Sequence, residues 1–468
     1  MIRELNEKIK IGFDPKDLFN EAVEKAKKNK CNCFVTIVDN FKIEKSDSLL
    51  YGIPFSIKDN YSTKGILTTA SSNILKDYVP VYDATVIRKL KEAGAVLVGK
   101  TVLDELAMGG TGLTGHTGIV YNPLDEKRII GGSSAGSAAS VVLDIVPFSI
   151  GSDTGDSVRK PAAYGGIIGF KPTYGRISRY GLFAFASSLD HVGIFAKKVE
   201  DVAIVTDVLK GYDELDMTSL AGDDKVYAEL LDKDIKGRKL FYIKEICDIK
   251  MYDQVDDEMK KVLTNFEQVV AKCREIGFIV EEVSIPKKLL EAIYPSYMAI
   301  SCAETTSNNA NLNGISFGSR ELGDSIDEVI FNSRTKGFSE LIKRRFILGS
   351  YILQKENQEK LFLNAGRVRR VIVDQMNQLF KTYDGFILPA AGGVAPLIDA
   401  KAEQLTDKHF VLENHMIIGN FGGFPSITIP SGKIEHLPIA VNITGRAFED
   451  DLVLNIAFQI EKALAEVK

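Results

Sequence analysis

The sequence predicts a single α/β domain with a helical insertion in its second half. Three observations lead there. Short apolar runs with strand character recur between Phe34 and Pro430 and alternate with capped, amphipathic stretches, the pattern of a sheet covered by helices. After residue 212 the character shifts to longer, charged helices, of which Asp256–Glu275 is the clearest. No internal repeat, low-complexity tract or long linker separates these parts. The 468 residues, 45% hydrophobic and 26% charged, suffice to bury a sizeable core.

Residues 1–46 read as an N-terminal helical arm. Asp14-Pro15 supplies a cap followed by proline at the first helical position, and Leu18, Phe19, Ala22, Val23 and Ala26 recur at helical spacing. A strand follows at Phe34–Val38. Ile53, Phe55 and Ile57 then alternate with Pro54, Ser56 and Lys58, the mark of a strand with one buried face. It ends on Lys58, beside Asp59-Asn60; a lone strand-end lysine is ordinarily solvated. Asp83 caps a helix that runs to Ala93, with Val86, Ile87 and Leu90 on its apolar face and Gly94 at its end. A strand, Ala95–Val98, comes next. Gly94–Thr101 matches the phosphate-loop pattern GxxxxGK[ST], but its four variable residues are strand-like and do not form a loop of backbone donors. Nucleotide binding there is rejected.

The chain is organised around Gly131–Arg159. Two Gly/Ser-rich stretches, Gly131–Ser137 and Gly151–Ser157, bracket an apolar run, Ala138–Ile150. Such loops expose backbone N–H groups and let a ligand approach closely. Gly132–Gly136 also matches the nucleophile elbow GxSxG. That elbow should follow a strand, whereas Tyr121–Arg128 reads as a polar turn region, and His191, His409, His415 and His436 have no distinguishing context. A Ser-His-Asp triad is therefore disfavoured. Further on, Gly165–Phe195 is turn-rich, Val199–Leu209 is a helix and Phe278–Glu282 a strand. Gly337–Arg370 is helical, Phe386–Pro389 and Ser426–Pro430 are short buried strands, and Glu449–Val467 closes the chain as a helix.

A net charge of −5 argues against a surface given over to nucleic acid, although Lys343-Arg344-Arg345 forms one basic turn. The five cysteines (Cys31, Cys33, Cys247, Cys273 and Cys302) are odd in number and scattered. They read as reduced thiols of a cytoplasmic protein, with neither a disulfide framework nor a zinc site. The charged start, MIRELNEKIKIG, is not expected to be a signal peptide, and no apolar run approaches a membrane span.

Taken together, GIPFSIKDN around Lys58, GGSSAGS around Ser133 and GSDTGDS ending at Ser157 resemble the motifs of the amidase signature family, in the family's order and at its separations. The resemblance spans nearly the whole chain and is densest from Gly52 to Phe195. It implies a large mixed sheet flanked by helices on both sides, with about 212–380 as a helical insertion lining the substrate side. It also implies a Ser-cisSer-Lys triad of Ser157, Ser133 and Lys58. The chemistry accounts for these residue types: a serine hydroxyl needs activation, and a lysine serves as base only when its pKa is brought down, typically by desolvation. The backbone N–H groups of Thr154, Gly155 and Asp156 would form the oxyanion hole. Asp156 departs from the family, which usually has Gly there; its carboxylate would repel an oxyanion unless it points away or pairs with a cation such as Arg159.

Lys171–Ala203, KPTYGRISRYGLFAFASSLDHVGIFAKKVEDVA, is similar to the branch of the family that serves tRNA-dependent amidation. That similarity implies hydrolysis of glutamine at Ser157 and transfer of ammonia to a partner, within a heterotrimer of this chain and two further subunits. ATP and Mg²⁺ would serve the partner, which would also make most contacts with Glu-tRNA(Gln), and this chain would need neither cofactor nor metal. Arg345 (or Arg344) would hold the glutamine carboxylate, Tyr297 would contact the substrate, and Glu413 would hold its amine. The alternative is a stand-alone amidase acting on a small or apolar amide.

Overall fold

The computed structural model describes residues 1–400, 406 and 408–466. Its strands are β1 (Phe34–Ile37), β2 (Pro54–Lys58), β3 (Val96–Thr101), β4 (Tyr121–Asn122), β5 (Asp125–Ile129), β6 (Phe148–Asp153) and β7 (Ile168–Lys171). They continue with β8 (His191–Ala196), β9 (Lys239–Ile243), β10 (Ile279–Val283), β11 (Gly385–Pro389), β12 (Ser426–Ile434) and β13 (Leu437–Gly445). Eleven of them form one sheet in the order β1-β3-β2-β6-β8-β7-β12-β13-β11-β9-β10, while β4 and β5 pair separately. The sheet is mixed. β2 runs parallel to both β3 and β6, and β9 parallel to β10 and β11, whereas β6, β8, β7, β12 and β13 are successively antiparallel.

Helices cover both faces. Side chains alternate across a strand, so β3 sends Leu97 into one core and Val96 and Val98 into another. The first core takes the apolar faces of helices Thr85–Glu92, Val199–Leu209, Asp257–Glu275 and Asp450–Ala465. The second takes those of Pro15–Lys28, Ala135–Val142 and Arg159–Gly165. A third apolar cluster joins Phe241 and Phe386 of the sheet to helices of the second half, through Ile293, Ile300, Ile342, Phe346, Ile372 and Met376.

The structure departs from the sequence reading in four places. Within 212–380 the main sheet gains β9 beside the expected strand β10; the apolar Leu240 and Phe241 of β9 pair with β11 and are buried. All of β2 is buried, not one face only, because it lies between two parallel neighbours with helices above and below. Asp83 does not cap its helix; it accepts a hydrogen bond from the Lys64 N–H at 2.8 Å and pairs with Lys91, and the helix starts at Thr85. Tyr121–Arg128 is a short hairpin, not a polar turn region. The closing helix is Asp450–Ala465, and the expected end at Val467 lies outside the described residues. Asp14 does cap its helix, accepting from the Lys16 N–H at 2.8 Å. All five cysteines are free thiols.

Candidate active site

Parallel strands carry their C-terminal ends to the same edge of a sheet, so β2 and β6 deliver Lys58 and Ser152-Asp153 side by side. The loop before helix Ala135–Val142 brings Ser133 over this edge, with a cis peptide between Gly132 and Ser133. Two glycines let the loop sit so low. A Cβ on Gly132 would collide with the Asp104 carboxylate, and one on Gly136 with the Cys33 carbonyl and the Val102 backbone. The helix is then pinned by hydroxyls: Ser137 donates to the Ile150 carbonyl at 3.1 Å, and Ser56 lies 2.9 Å from Ser140.

Lys58 Nζ stands 2.7 Å from Ser133 Oγ, 2.9 Å from Ser152 Oγ and 3.3 Å from the Ser152 carbonyl. Lys58 and Ser133 are 0% exposed and Ser157 is 5% exposed. Burial brings the Lys58 ammonium down to about 7, although Asp104, Asp153 and Asp190 pull it the other way. Its neutral form is therefore within reach near neutral pH. The two serine loops adjoin: Ser134 N–H donates to the Ser157 carbonyl at 3.4 Å, and Ser134 Oγ to the Ser152 carbonyl at 3.1 Å.

The loop that ends at Ser157 is tied shut by an internal ion pair. Arg159 forks onto Asp153, with Nε–Oδ2 at 3.1 Å and Nη2–Oδ1 at 2.9 Å, and also donates to the Gly155 carbonyl and to Asn420. Asn420 returns a hydrogen bond to Asp153 at 2.9 Å, and Val158 N–H donates to the same carboxylate. The Arg159 guanidinium holds the Asp153 carboxyl far below the usual range despite its burial. Arg159 is thus spent on Asp153 and is not the cation that pairs with Asp156, as the sequence reading allowed. Thr154 donates to Asp190 at 2.7 Å, which anchors the other side of the loop.

Several supporting groups gave no local signal in the sequence. Asp104 accepts from the backbone N–H groups of Thr111, Gly112, Leu113 and Thr114, while its own N–H donates to the Ser133 carbonyl at 3.1 Å. Asp190 is closed off by the N–H groups of Phe185 and Ala186. Asn420 and Ser152 complete the set. Asp104, Asp190 and Asn420 come from separate parts of the chain, and Ser152, though inside the Gly151–Ser157 motif, meets Lys58 only through the pairing of β2 with β6.

Of the expected substrate residues, Tyr297 lies against the loop: its ring and hydroxyl would be 3.1–3.2 Å from a Cβ on Gly155. Arg344 is exposed, whereas its neighbour Arg345 turns inward and is half-buried. Arg345 Nε is buried without a hydrogen-bond acceptor among the described residues, and Nη1 contacts Met298 Sδ at 3.9 Å. The Glu413 carboxylate is engaged by Lys160 at 2.8 Å and by the Gly392 N–H at 2.8 Å. Of the motifs set aside above, GxSxG does follow a strand, β5, but neither motif presents a free reactive group. Lys100 is buried in β3 against Asp59, and Ser134 Oγ is turned onto a main-chain carbonyl. His191 and His415 are buried, with Nδ1 of each beside a main-chain carbonyl oxygen. Among the described residues, no group of three or more His, Cys, Asp and Glu side chains could hold a metal ion. Among the same residues, no helix is long and apolar enough to cross a membrane.

The family model described as Amidase matches residues 19–454. This chain belongs to the amidase family. Among its relatives, the A-subunit of glutamyl-tRNA(Gln) amidotransferase from Halothermothrix orenii is 38% identical over 458 residues, covering 96% of this amidase and 93% of the relative. The protein of the same name from Staphylococcus aureus (strain bovine RF122 / ET3-1) is 39% identical over 422 residues, or 89% and 84% of the two chains. The crystal structure of the corresponding Thermotoga maritima protein, of the same name again, superposes with a TM-score of 0.80 at 35% identity, covering 96% of this amidase and 91% of that chain.

Proposed function

We propose that this amidase is the glutamine-hydrolysing subunit of a glutamyl-tRNA(Gln) amidotransferase. The observation that carries the reading is similarity to subunits of that enzyme along almost the whole chain, joined to a buried Lys58–Ser133 contact beside Ser157. Ser157 Oγ attacks the side-chain amide carbon of glutamine. Its proton passes through the Ser133 hydroxyl to the neutral Lys58 amine, and the tetrahedral oxyanion is held by the N–H groups of Thr154, Gly155 and Asp156. Collapse breaks the C–N bond, and Lys58, again through Ser133, returns the proton to the leaving nitrogen, which departs as ammonia. Water then cleaves the Ser157 ester by the same relay, releasing glutamate. Asp153, Arg159 and Asn420 keep the loop in the shape this requires.

Tyr297, which lies against the loop, contacts the substrate, and Arg345, whose charge acts on Tyr297, holds the glutamine carboxylate. The ammonia is passed to a partner protein, in a complex of this chain with two others, and is used there with ATP and Mg²⁺ to amidate Glu-tRNA(Gln). The partner makes most of the tRNA contacts. The test is to co-purify this chain with its partners and measure glutamine-dependent conversion of Glu-tRNA(Gln) to Gln-tRNA(Gln). Conversion that is lost with Ser157→Ala but restored by added ammonium salt is the expected result. Full-rate hydrolysis of a small apolar amide by the isolated chain, with none of glutamine, would favour the stand-alone amidase instead.

A further inference from the structure

A site selective for glutamine needs one unmatched cation and one unmatched anion near the nucleophile, because the free amino acid carries both an α-carboxylate and an α-ammonium. Arg345 meets the first requirement. The neighbours it touches, Met298, the Cys302 thiol and the ring of Phe185, carry no negative charge.

The anion is found by pairing off the charges around the Ser157 loop. Asp153 is neutralised by Arg159, Glu413 by Lys160, and Asp256 by Lys408 at 2.8 Å. Asp190 is capped by Thr154 and two backbone N–H groups. Asp156 remains. It directly precedes Ser157 and is half-buried, and its carboxylate makes no hydrogen bond or ion pair with any described residue. Its main-chain carbonyl accepts from the Lys160 N–H at 2.8 Å. Burial pushes its carboxyl up to about 6 against the pull of Lys160, so it gains from meeting a further cation. The Tyr297 hydroxyl is within electrostatic reach of both Arg345 and Asp156, which act on it in opposite senses. A positive and a negative charge therefore both act on one ring that lies against Gly155, the residue before Asp156.

We propose that the Asp156 carboxylate, and not Glu413, binds the α-ammonium of the substrate and makes this site selective for amides of α-amino acids. The proposal rests on the glutaminase reading above and names the specificity group of that site. It also accounts for a negative charge next to an oxyanion hole. With glutamine bound, the ammonium neutralises Asp156, whereas an amide lacking the ammonium leaves the carboxylate charged beside the developing oxyanion. Discrimination then falls on kcat as well as on KM.

The test compares glutamine with 4-carbamoylbutanoate, which is glutamine without its α-ammonium. The co-purified complex is assayed as wild type, Asp156→Asn and Glu413→Gln. Binding of both compounds is also measured by calorimetry in a Ser157→Ala background. The wild type should prefer glutamine at least tenfold in kcat/KM and in affinity, and D156N should lower both ratios at least tenfold. E413Q should leave them within about threefold. Using ratios removes any general effect of the substitution on the loop. Retention of both ratios in D156N, or their collapse in E413Q alone, overturns the proposal. A wild type that binds glutamine preferentially yet hydrolyses none of it would overturn the glutaminase reading and leave the Asp156 assignment supported.

Discussion

Lys58 and Lys100 lie at the ends of adjacent parallel strands, where Ile57 is in register with Lys100 and Lys58 with Thr101. Both are completely buried. Their surroundings differ in one respect. Lys100 has a carboxylate at 3.1 Å, Asp59, together with the Tyr61 carbonyl and the Thr68 hydroxyl at 2.8 Å each. Among the described residues, the Lys58 amine hydrogen-bonds only to the hydroxyls of Ser133 and Ser152 and the Ser152 carbonyl, and the carboxylates that act on it do so without contact. Desolvation lowers both amines, but Asp59 recovers part of the loss for Lys100. Burial without a contacting counter-charge yields a base, and burial with one yields a structural strut.

The largest expected effect falls on chemistry at Lys58. Lys58→Met should reduce ammonia release from glutamine by about 10³-fold or more, and Ser157→Ala by a similar factor. The double variant should be no worse than either single one, since the groups act as a unit. Lys100→Met should instead act on stability. It leaves Asp59 buried without its cation and should cost about 3–5 kcal/mol in denaturant unfolding. Replacing Asp59 with Asn in the same chain should recover much of that loss. Lys58→Met orphans no contacting carboxylate and should cost far less. Equal losses from the two lysine substitutions would break the contrast.

The pH dependence sharpens it further. In the proposed mechanism the neutral amine is the base, so kcat/KM should rise as pH passes through about 7 and then level off. Linkage has the same origin. The folded state gives up the Lys58 proton near 7, whereas the unfolded chain keeps it to about 10.4. Over that window the unfolded state binds more protons, and Lys58 makes stability rise with pH. Lys58→Met should remove this part of the slope, measured by thermal unfolding between pH 6 and 10. The smallest effect is expected for Ser152→Ala, which removes one hydrogen bond to Lys58. A loss of about 1 kcal/mol corresponds to a rate reduction of roughly fivefold, together with a shifted midpoint in the pH profile.

Much of this site was legible in the chain because short motifs carry their own geometry. Gly/Ser loops around an apolar run single out Ser133 and Ser157 locally, whereas Lys58 by itself reads as a solvated strand end and joins them only through the resemblance to the amidase motifs. Asp104, Asp190, Asn420 and Ser152 were not legible, since each acts through neighbours distant in sequence. The same limit explains the smaller misreadings. Local pattern showed that β2 alternates but not that helices cover both its faces. It also suggested Asp83 as a cap where Lys64 and Lys91 compete for that carboxylate.

The sequence by itself determined the α/β class and the resemblance to amidases, from which the proposed triad follows, because periodicity, turn chemistry and motif spacing are local properties. Tertiary structure alone decided the charge states. Whether a buried lysine is a base or a strut, whether Arg159 serves Asp153 or Asp156, and whether Glu413 or Asp156 is left for a substrate all depend on which opposite charges the fold sets within contact. Coulomb energy and desolvation are set by distance in space, which a residue's position along the chain does not record.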